Sequence, residues 1–184
     1  MELMVIMAVM SIIAAFTYPA IAEFIHRSRI EGFCRTTSTL IVRTRLDAIK
    51  RNQPTVFRID QVTGQGVAFV DIDNDGVFDD GERLIGQAIL PDGLSFSAPN
   101  LLPAVDGFPT AGNDAWISFG VDGSVAQPGS IRVGDPRGNY LEIRIAPAAT
   151  AKIKIRKWDD TLPVNVDNSH WYSAGEGGAP WHWN

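Results

Sequence analysis

The chain opens with an apolar run. Between Leu3 and Ala22 the only polar side chains are one serine, one threonine and one tyrosine. About 20 apolar residues at a rise of ~1.5 Å per residue match the ~30 Å hydrocarbon core of a bilayer. A cleaved signal peptide would need a basic stretch before the run, and an acid, Glu2, stands there instead. We therefore expect residues 1–22 to form a retained transmembrane helix in preference to a cleaved signal.

Beyond this run, the helical pattern continues with apolar residues along one side only. Residues 23–52 place an apolar or small residue at every third or fourth position, with arginines around this stripe. Asn52 and Pro54 predict the end of the helix, because the residue before a proline is pushed out of the α region. We expect one helix of about fifty residues, ~75 Å long, which Pro19 should kink or locally melt. The stripe comprises Ile30, Phe33, Cys34, Thr37, Leu40, Ile41, Thr44, Ala48 and Ile49.

After Pro54 the apolar positions alternate, as is typical of β-strands. Turns rich in glycine, asparagine and aspartate separate the predicted strands, and residues 100–113 are predicted to form a longer loop. We expect an antiparallel, β-sandwich-like domain over residues 53–157. The fold class is therefore α+β: one long amino-terminal helix, its first half transmembrane, packed by its second half on this domain. The predicted strands cover residues 55–59, 67–70, 83–85, 94–96, 116–119, 130–133, 140–145 and 151–156.

The last segment, residues 158–184, differs from the rest. It holds four of the chain's five tryptophans, a glycine-rich stretch and little periodicity. Tails of this kind are often mobile unless their aromatic side chains dock on the domain. We therefore treat this segment as a tryptophan-rich tail outside the β domain.

Composition narrows the classes of function. A net charge of −5 argues against a surface that binds nucleic acid all over, although it leaves a local basic patch open. The single cysteine excludes an intramolecular disulfide framework and a multi-cysteine metal centre. The sequence contains no HExxH or G-x-S-x-G motif and no phosphate-binding glycine loop. We therefore expect that the protein is not an enzyme.

Residues 71–82 have the spacing of a twelve-residue calcium-binding loop. They include six acidic residues and no basic one, so their charges would repel one another without a cation. Strands flank the run, so the site would lie on a hairpin and not between two helices. The alternative is a solvated, metal-free hairpin tip; we favour a structural Ca²⁺. The expected ligands are the side chains of Asp71, Asp73, Asp75, Asp79 and Glu82 and the carbonyl of Val77.

Five bases and no acid lie between residues 144 and 157. On a strand, Lys152, Lys154 and Arg156 would share one face. One interpretation is an edge strand that charge protects from aggregation. The other is a strip that tracks DNA phosphates or another anion, with an aromatic side chain to stack on a base; the overall acidity favours the first. The strip would comprise Lys152, Lys154, Arg156, Lys157 and Trp158.

Glu2, at the head of the apolar helix, has two interpretations. A carboxylate in a membrane is costly unless it is paired or lies at an interface. Glu2 is therefore either an acid left at the water boundary or a group that pairs with another subunit in a bundle of helices. Resemblance favours the second, since the segments 2–6, 11–15 and 18–19 resemble the amino-terminal helix of the type IV pilin superfamily. The segments 28–32, 47–54 and 119–124, together with the strand near residue 154, resemble the GspH/FimT branch of the pseudopilins, and the resemblance covers about residues 1–157.

The resemblance implies an assembly subunit. A minor pilin or pseudopilin of this kind waits in the inner membrane as a single-pass protein with its β domain in the periplasm. It loses a short basic leader, is methylated at its new amino terminus and joins other pilin subunits in a filament. The filament would be a type II secretion pseudopilus or a type IV pilus, with this chain at or near its tip. Because no such leader precedes Glu2, we expect the natural start to lie upstream.

The resemblance also implies roles for single residues. Glu2 would neutralise the terminal ammonium of a neighbouring subunit, a buried pair that is costly to break. Pro19 would mark where the helix loosens on assembly. Members of this branch that act in DNA uptake are thought to bind DNA near the basic strand, so a DNA-binding minor pilin is one alternative. An unrelated periplasmic domain held by a signal anchor is the other.

Overall fold

A single long helix begins the fold. The computed structural model describes residues 2–165, 169–174 and 176, and within the helix the side chains of residues 4, 6, 7, 9–13, 15, 17 and 21–51. Helix α1 runs over Glu2–Arg51, as long as predicted. It is continuous through position 19, so the predicted alternative of local melting at Pro19 is wrong: a proline removes one backbone donor, and α1 remains helical on both sides. The other alternative, a kink at Pro19, stays a prediction. Asn52 then enters the left-handed region at φ 53°, which ends the helix where the sequence predicts.

The described residues form eleven strands after α1: β1 (Thr55–Asp60), β2 (Gln65–Val70), β3 (Leu84–Ile89), β4 (Ser95–Phe96), β5 (Val105–Asp106), β6 (Thr110–Ala111), β7 (Asp114–Phe119), β8 (Gly129–Gly134), β9 (Tyr140–Ile145), β10 (Ile153–Trp158) and β11 (Trp171–Ser173). Sheet A has the order β3-β2-β1-β7-β6. Sheet B has the order β11-β10-β9-β8-β4, and β5 also pairs with β8. All the strand pairings are antiparallel. The predicted α+β architecture, a long helix packed on an antiparallel β domain, is therefore confirmed.

The second half of α1 packs against both sheets. It contacts β1, β2, β3 and β7 of sheet A and β9 and β10 of sheet B. The predicted stripe is buried except at Ile49, which is 45 % exposed. Phe57 and Phe119 of sheet A and Ile143 of sheet B face the same core and are almost completely buried. One apolar cluster thus joins the helix to both sheets, and the area it removes from water is the main force that holds them together.

Three short strands lie where the sequence predicts a loop or a tail. β5 and β6 fall within the predicted loop at residues 100–113 and pair with β8 and β7. β11 falls within the tail and pairs with β10, which itself extends through Trp158. The boundary predicted at residue 158 therefore cuts a strand, and residues 171–173 of the tail belong to sheet B. Strands of two or three residues carry no periodicity that a sequence pattern could reveal. Residues 177–184, with two of the tryptophans, lie outside the described residues.

The first half of α1 turns its described apolar side chains outward. Met4, Met7 and Met10 are 79 %, 68 % and 67 % exposed. Across the described residues, no helix combines the length and the apolarity needed to cross a membrane. The transmembrane helix predicted at residues 1–22 is therefore not confirmed and stays a prediction. The side chains of Glu2 and Pro19, on which the predicted assembly roles depend, lie outside those described.

Candidate functional sites: an acidic loop and a basic strand

The acidic loop, residues 71–82, connects β2 to β3. A hydrogen bond of 3.0 Å from the N–H of Val70 to the carbonyl of Arg83 closes its base, so the loop lies on a hairpin, as predicted. Asn74 and Gly76 adopt positive φ angles of 63° and 75°. These angles turn the chain sharply, and asparagine and glycine are the residues that adopt them most readily.

Backbone N–H groups orient the first and last acids of the loop. The N–H of Gly76 donates to Oδ2 of Asp71 at 3.2 Å. Glu82 accepts the N–H of Ile72 on Oε1 at 2.8 Å and the N–H of Asp79 on Oε2 at 3.2 Å. Both carboxylates are therefore held toward the loop's own backbone and not released into solvent.

The carboxylates of the loop converge in two overlapping groups. Oxygens of Asp71, Asp73 and Glu82 lie within 4.8 Å of one another, and so do oxygens of Asp73, Asp75 and Asp79. Because Asp73 belongs to both groups, all the predicted side-chain ligands form one continuous cluster. The sixth predicted ligand, the backbone carbonyl of Val77, is not tested by the structure and stays a prediction.

Asp71 is the buried member of this cluster. It is 3 % exposed, and its Oδ1 has no hydrogen-bond partner in the part of the chain that the structure describes. Burial raises the pKa of Asp71 and the nearby Glu82 carboxylate adds to this rise, while the backbone N–H groups of Gly76, Asn74 and Asp75 oppose it. Partial desolvation raises the pKa of Asp79 as well, with added repulsion from Asp75 and Asp73. A buried carboxylate that faces other carboxylates is unfavourable, so a bound cation would supply a counter-charge.

Two side chains of sheet A hold the turn of the loop. Arg58 donates from Nη1 to the carbonyl of Gly76 at 2.8 Å and from Nη2 to Oδ2 of Asp114 at 2.6 Å. The indole of Trp116 lies against Gly76, and a Cβ at that position would be 3.4 Å from its Nε1. The turn is therefore positioned by the folded sheet and not only by the loop's own hydrogen bonds.

The basic strand, residues 152–158, largely coincides with β10. Lys152 and Lys154 are exposed, whereas Arg156 is 3 % exposed and lies opposite Glu142 of β9. The prediction that these three bases form one accessible strip is therefore wrong for Arg156. The edge-strand interpretation is also wrong for the last three residues of β10, because β11 pairs with them.

Arg156 belongs to a buried ion cluster of two arginines and one glutamate. Its Nε donates to Oε2 of Glu142 at 2.7 Å, and the Nε of Arg132 donates to Oε1 at 3.0 Å. Glu142 is fully buried, and Arg132 is 5 % exposed. Arg132 also donates to the carbonyl of Pro103 at 2.8 Å, and its guanidinium lies 5.8 Å from the ring centre of Trp171. Arg156 therefore has its counter-charge inside the fold and is not available to a DNA phosphate.

Lys157 and Trp158 are also withdrawn from the surface. Lys157 is 8 % exposed, and burial lowers its pKa, although the nearby charge of Asp159 opposes this effect. Trp158 is half-buried and packs edge-on against Trp171, with ring centres 5.3 Å apart. Of the five predicted contacts, the two lysines are exposed and Trp158 is half-buried; contact with DNA is not tested by the structure and stays a prediction.

Sequence reasoning missed the buried ion cluster. Glu142 alternates with the apolar residues of β9, and an acid in that position is typical of a strand's solvent face. Its partners are 10 and 14 residues away along the chain. They become its neighbours only through the registers of β8 and β10 on β9, which no local pattern encodes.

Comparison with known proteins identifies the family. The family model of the type II transport protein GspH matches residues 35–149, more than half of the chain. The chain belongs to the GspH family. Among solved structures, it is similar to the minor pseudopilin EpsH from the Type 2 Secretion System of Vibrio cholerae, with 14 % identity and a TM-score of 0.47 over 69 % of this chain and 95 % of that chain. No curated protein matches the chain.

Membership of the GspH family confirms the resemblance found in the sequence and removes the alternative of an unrelated periplasmic domain. The matched region includes the acidic loop and the strands up to β9. It does not include the start of α1 or the basic strand. The predictions for Glu2, Pro19 and residues 152–158 therefore receive no support from the family match.

Proposed function

We propose that this chain is a minor pseudopilin subunit that assembles through α1 into a filament, either a type II secretion pseudopilus or a type IV pilus. The observation that carries the proposal is the outward apolar surface of the first half of α1. Among the side chains that the structure describes between residues 4 and 25, ten large apolar ones are each at least 42 % exposed. An apolar surface of this extent needs cover from lipid or from other helices. Membership of the GspH family supports helices of neighbouring subunits as that cover.

The proposal assigns roles to the beginning of the chain. Residues 1–22 would hold the subunit in the inner membrane before assembly, with the β domain in the periplasm. Glu2 would neutralise the amino terminus of a neighbouring subunit, which methylation would modify, and Pro19 would let α1 loosen in the filament. The subunit would act at or near the tip, where assembly starts, and its β domain would hold a structural calcium ion.

Two aspartate substitutions at exposed apolar positions test the proposal. Ile13→Asp places a charge on the apolar surface of α1, where a bilayer or a helical bundle would have to bury it. Val62→Asp makes the same change at a position that is 72 % exposed, between β1 and β2. We expect Ile13→Asp to abolish secretion or piliation in cells that depend on this chain and Val62→Asp to leave it intact. Full function of Ile13→Asp at wild-type protein level would contradict the proposal.

Cysteine cross-linking gives a second readout. Met10→Cys should cross-link the subunit to its neighbours in intact cells, whereas Val62→Cys should not. The native Cys34 does not interfere, because it is fully buried and burial raises its pKa to about 12. A thiol in that state is unreactive at neutral pH.

A further inference from the structure

The acidic loop lies beside the junction between α1 and the β domain. We propose that this loop binds one calcium ion and that the ion locks the carboxyl-terminal end of α1 to sheet A. The proposal rests on the structural calcium ion named in the proposed function and adds what that ion does; it does not depend on filament assembly, since it concerns the folding of one chain. It rests on the burial of Asp71, on the donors around it and on the contacts at the two ends of the loop.

The unpartnered oxygen of Asp71 marks the ion site. Oδ2 of Asp71 takes the N–H of Gly76, which leaves the buried Oδ1 without a hydrogen-bond partner among the described residues. The carboxylates of Asp73 and Glu82 lie within 4.8 Å of the Asp71 carboxylate, so they add repulsion and not compensation. No basic residue occurs among residues 71–82. The nearby Arg58 donates to the Gly76 carbonyl and to a carboxylate of β7, so a metal ion is the counter-charge that completes the site.

The donor set selects calcium. All the candidate ligands are hard oxygens on one short loop, and Ca²⁺ accepts six to eight such ligands in a flexible arrangement. Mg²⁺ demands a near-ideal octahedron and keeps several of its waters. Five converging carboxylates therefore fit Ca²⁺ better than Mg²⁺, and the ion would cancel the repulsion among them.

Both ends of the loop are tied to the end of α1. The N–H of Asp71 donates at 3.1 Å to the carbonyl of Pro54, just beyond the end of the helix. At the other end, Arg83 follows Glu82 and forms an ion pair with Asp47 on α1. An ion that draws the carboxylates of Asp71 and Glu82 together therefore fixes both anchor points of the helix end at once.

Terbium binding to the purified full chain tests the ion site. Trp116 lies against Gly76 of the loop, so it should sensitise Tb³⁺ luminescence, and Ca²⁺ should displace the Tb³⁺. Asp71→Asn keeps the shape and the acceptor for the Gly76 N–H but removes the charge. Asp80→Asn is the matched control, because Asp80 is exposed and belongs to neither carboxylate group.

We expect wild type and Asp80→Asn to show sensitised luminescence and a calcium-dependent rise of the melting temperature, and Asp71→Asn to lose both. Without calcium, Asp71→Asn should melt no lower than wild type, because it removes a buried charge that has no partner. That measurement also shows that the variant folds. Luminescence that is unchanged in Asp71→Asn, or absent in wild type, would overturn the site.

Amide hydrogen exchange tests the lock on α1. We expect calcium to slow exchange in the acidic loop and also in residues 44–53 at the end of the helix. Arg83→Met should keep the terbium signal but lose the protection of the helix end. Protection confined to residues 71–82 would overturn the lock. Neither readout requires a filament, so failure here and failure of the assembly proposal are distinguishable.

Discussion

The acidic loop and the basic strand are both runs of like charge, but they differ in whether the described residues supply a counter-charge to the buried member. In the loop, the buried Asp71 has an oxygen that accepts no hydrogen bond from the described residues, and it faces other carboxylates. In the strand, the buried Arg156 shares Glu142 with Arg132. A run of like charge therefore indicates a ligand site when the fold brings no counter-charge to it, and a structural ion cluster when the fold does.

The largest effect should come from removing the counter-charge of the basic strand. Glu142→Gln keeps the side chain's shape but removes the buried negative charge that Arg132 and Arg156 share. We expect a loss of about 3–5 kcal/mol in the free energy of unfolding, the usual cost of leaving a buried charge uncompensated. Urea unfolding of the purified chain measures it.

Asp106→Asn is the matched control for this substitution. Asp106 also faces Arg132, at 3.5 Å, but its side chain is 58 % exposed. Exposed ion pairs contribute ~0–1 kcal/mol, so this variant should remain close to wild type. Equal losses in the two variants would show that burial does not distinguish these carboxylates.

The second effect is the stabilisation of the acidic loop by its ion. Calcium at a hundred times its dissociation constant should add about 2.7 kcal/mol to the free energy of unfolding, and a chelator should reverse the gain. Phosphate at the same concentration should not stabilise the chain through the basic strand, because Arg156 already has a counter-charge. Thermal unfolding in the two ligands, with sodium chloride at matched ionic strength as the reference, makes the comparison. A gain in stability with phosphate and none with calcium would contradict the contrast between the two regions.

A smaller effect is expected at Asp47. Its ion pair with Arg83 is partly exposed, so its burial lies between that of an exposed pair and that of the buried ion cluster. Desolvation acts to raise the pKa of Asp47, but the hydrogen bond and charge of Arg83, with the charge of Arg51, outweigh it and lower the pKa. The carboxylate therefore stabilises the fold above the pKa of the unfolded chain, ~3.9, and this contribution is lost as the pH falls through the lower folded value.

Asp47→Asn should therefore cost about 0.2–1 kcal/mol at neutral pH and nothing once the pH is below the folded pKa. Urea midpoints of variant and wild type, measured from pH 7 down to acid, should converge. A difference that persists unchanged in acid would show that the effect of the substitution is not electrostatic.

The smallest effect is expected at Lys154. It is two residues from Arg156 on the same strand, yet its side chain is exposed. Lys154→Ala should change the free energy of unfolding by no more than ~0.5 kcal/mol, as is usual for surface positions. A loss above ~1 kcal/mol, measured in the same urea experiment, would mean that the basic strand is a structural unit along its whole length.

The sequence by itself determined the features that depend on neighbours along the chain. The stripe of α1 follows from helical periodicity, and Asn52 and Pro54 specify its end through local backbone preferences. The acids of residues 71–82 converge because their spacing within one short loop already brings them together. In each of these cases the residues belong to one helix or to one loop, so the local backbone conformation already decides how they are arranged.

The tertiary structure alone decided which charges are buried and what they meet. The register of β9 against β8 and β10 places one glutamate, Glu142, between Arg132 and Arg156. The pairing of β11 on β10 encloses Trp158 and Lys157, which the sequence presented as a surface strip. Strand register depends on side-chain packing across the whole sheet, so no local pattern could predict that the acidic loop keeps an unpartnered charge while the basic strand does not.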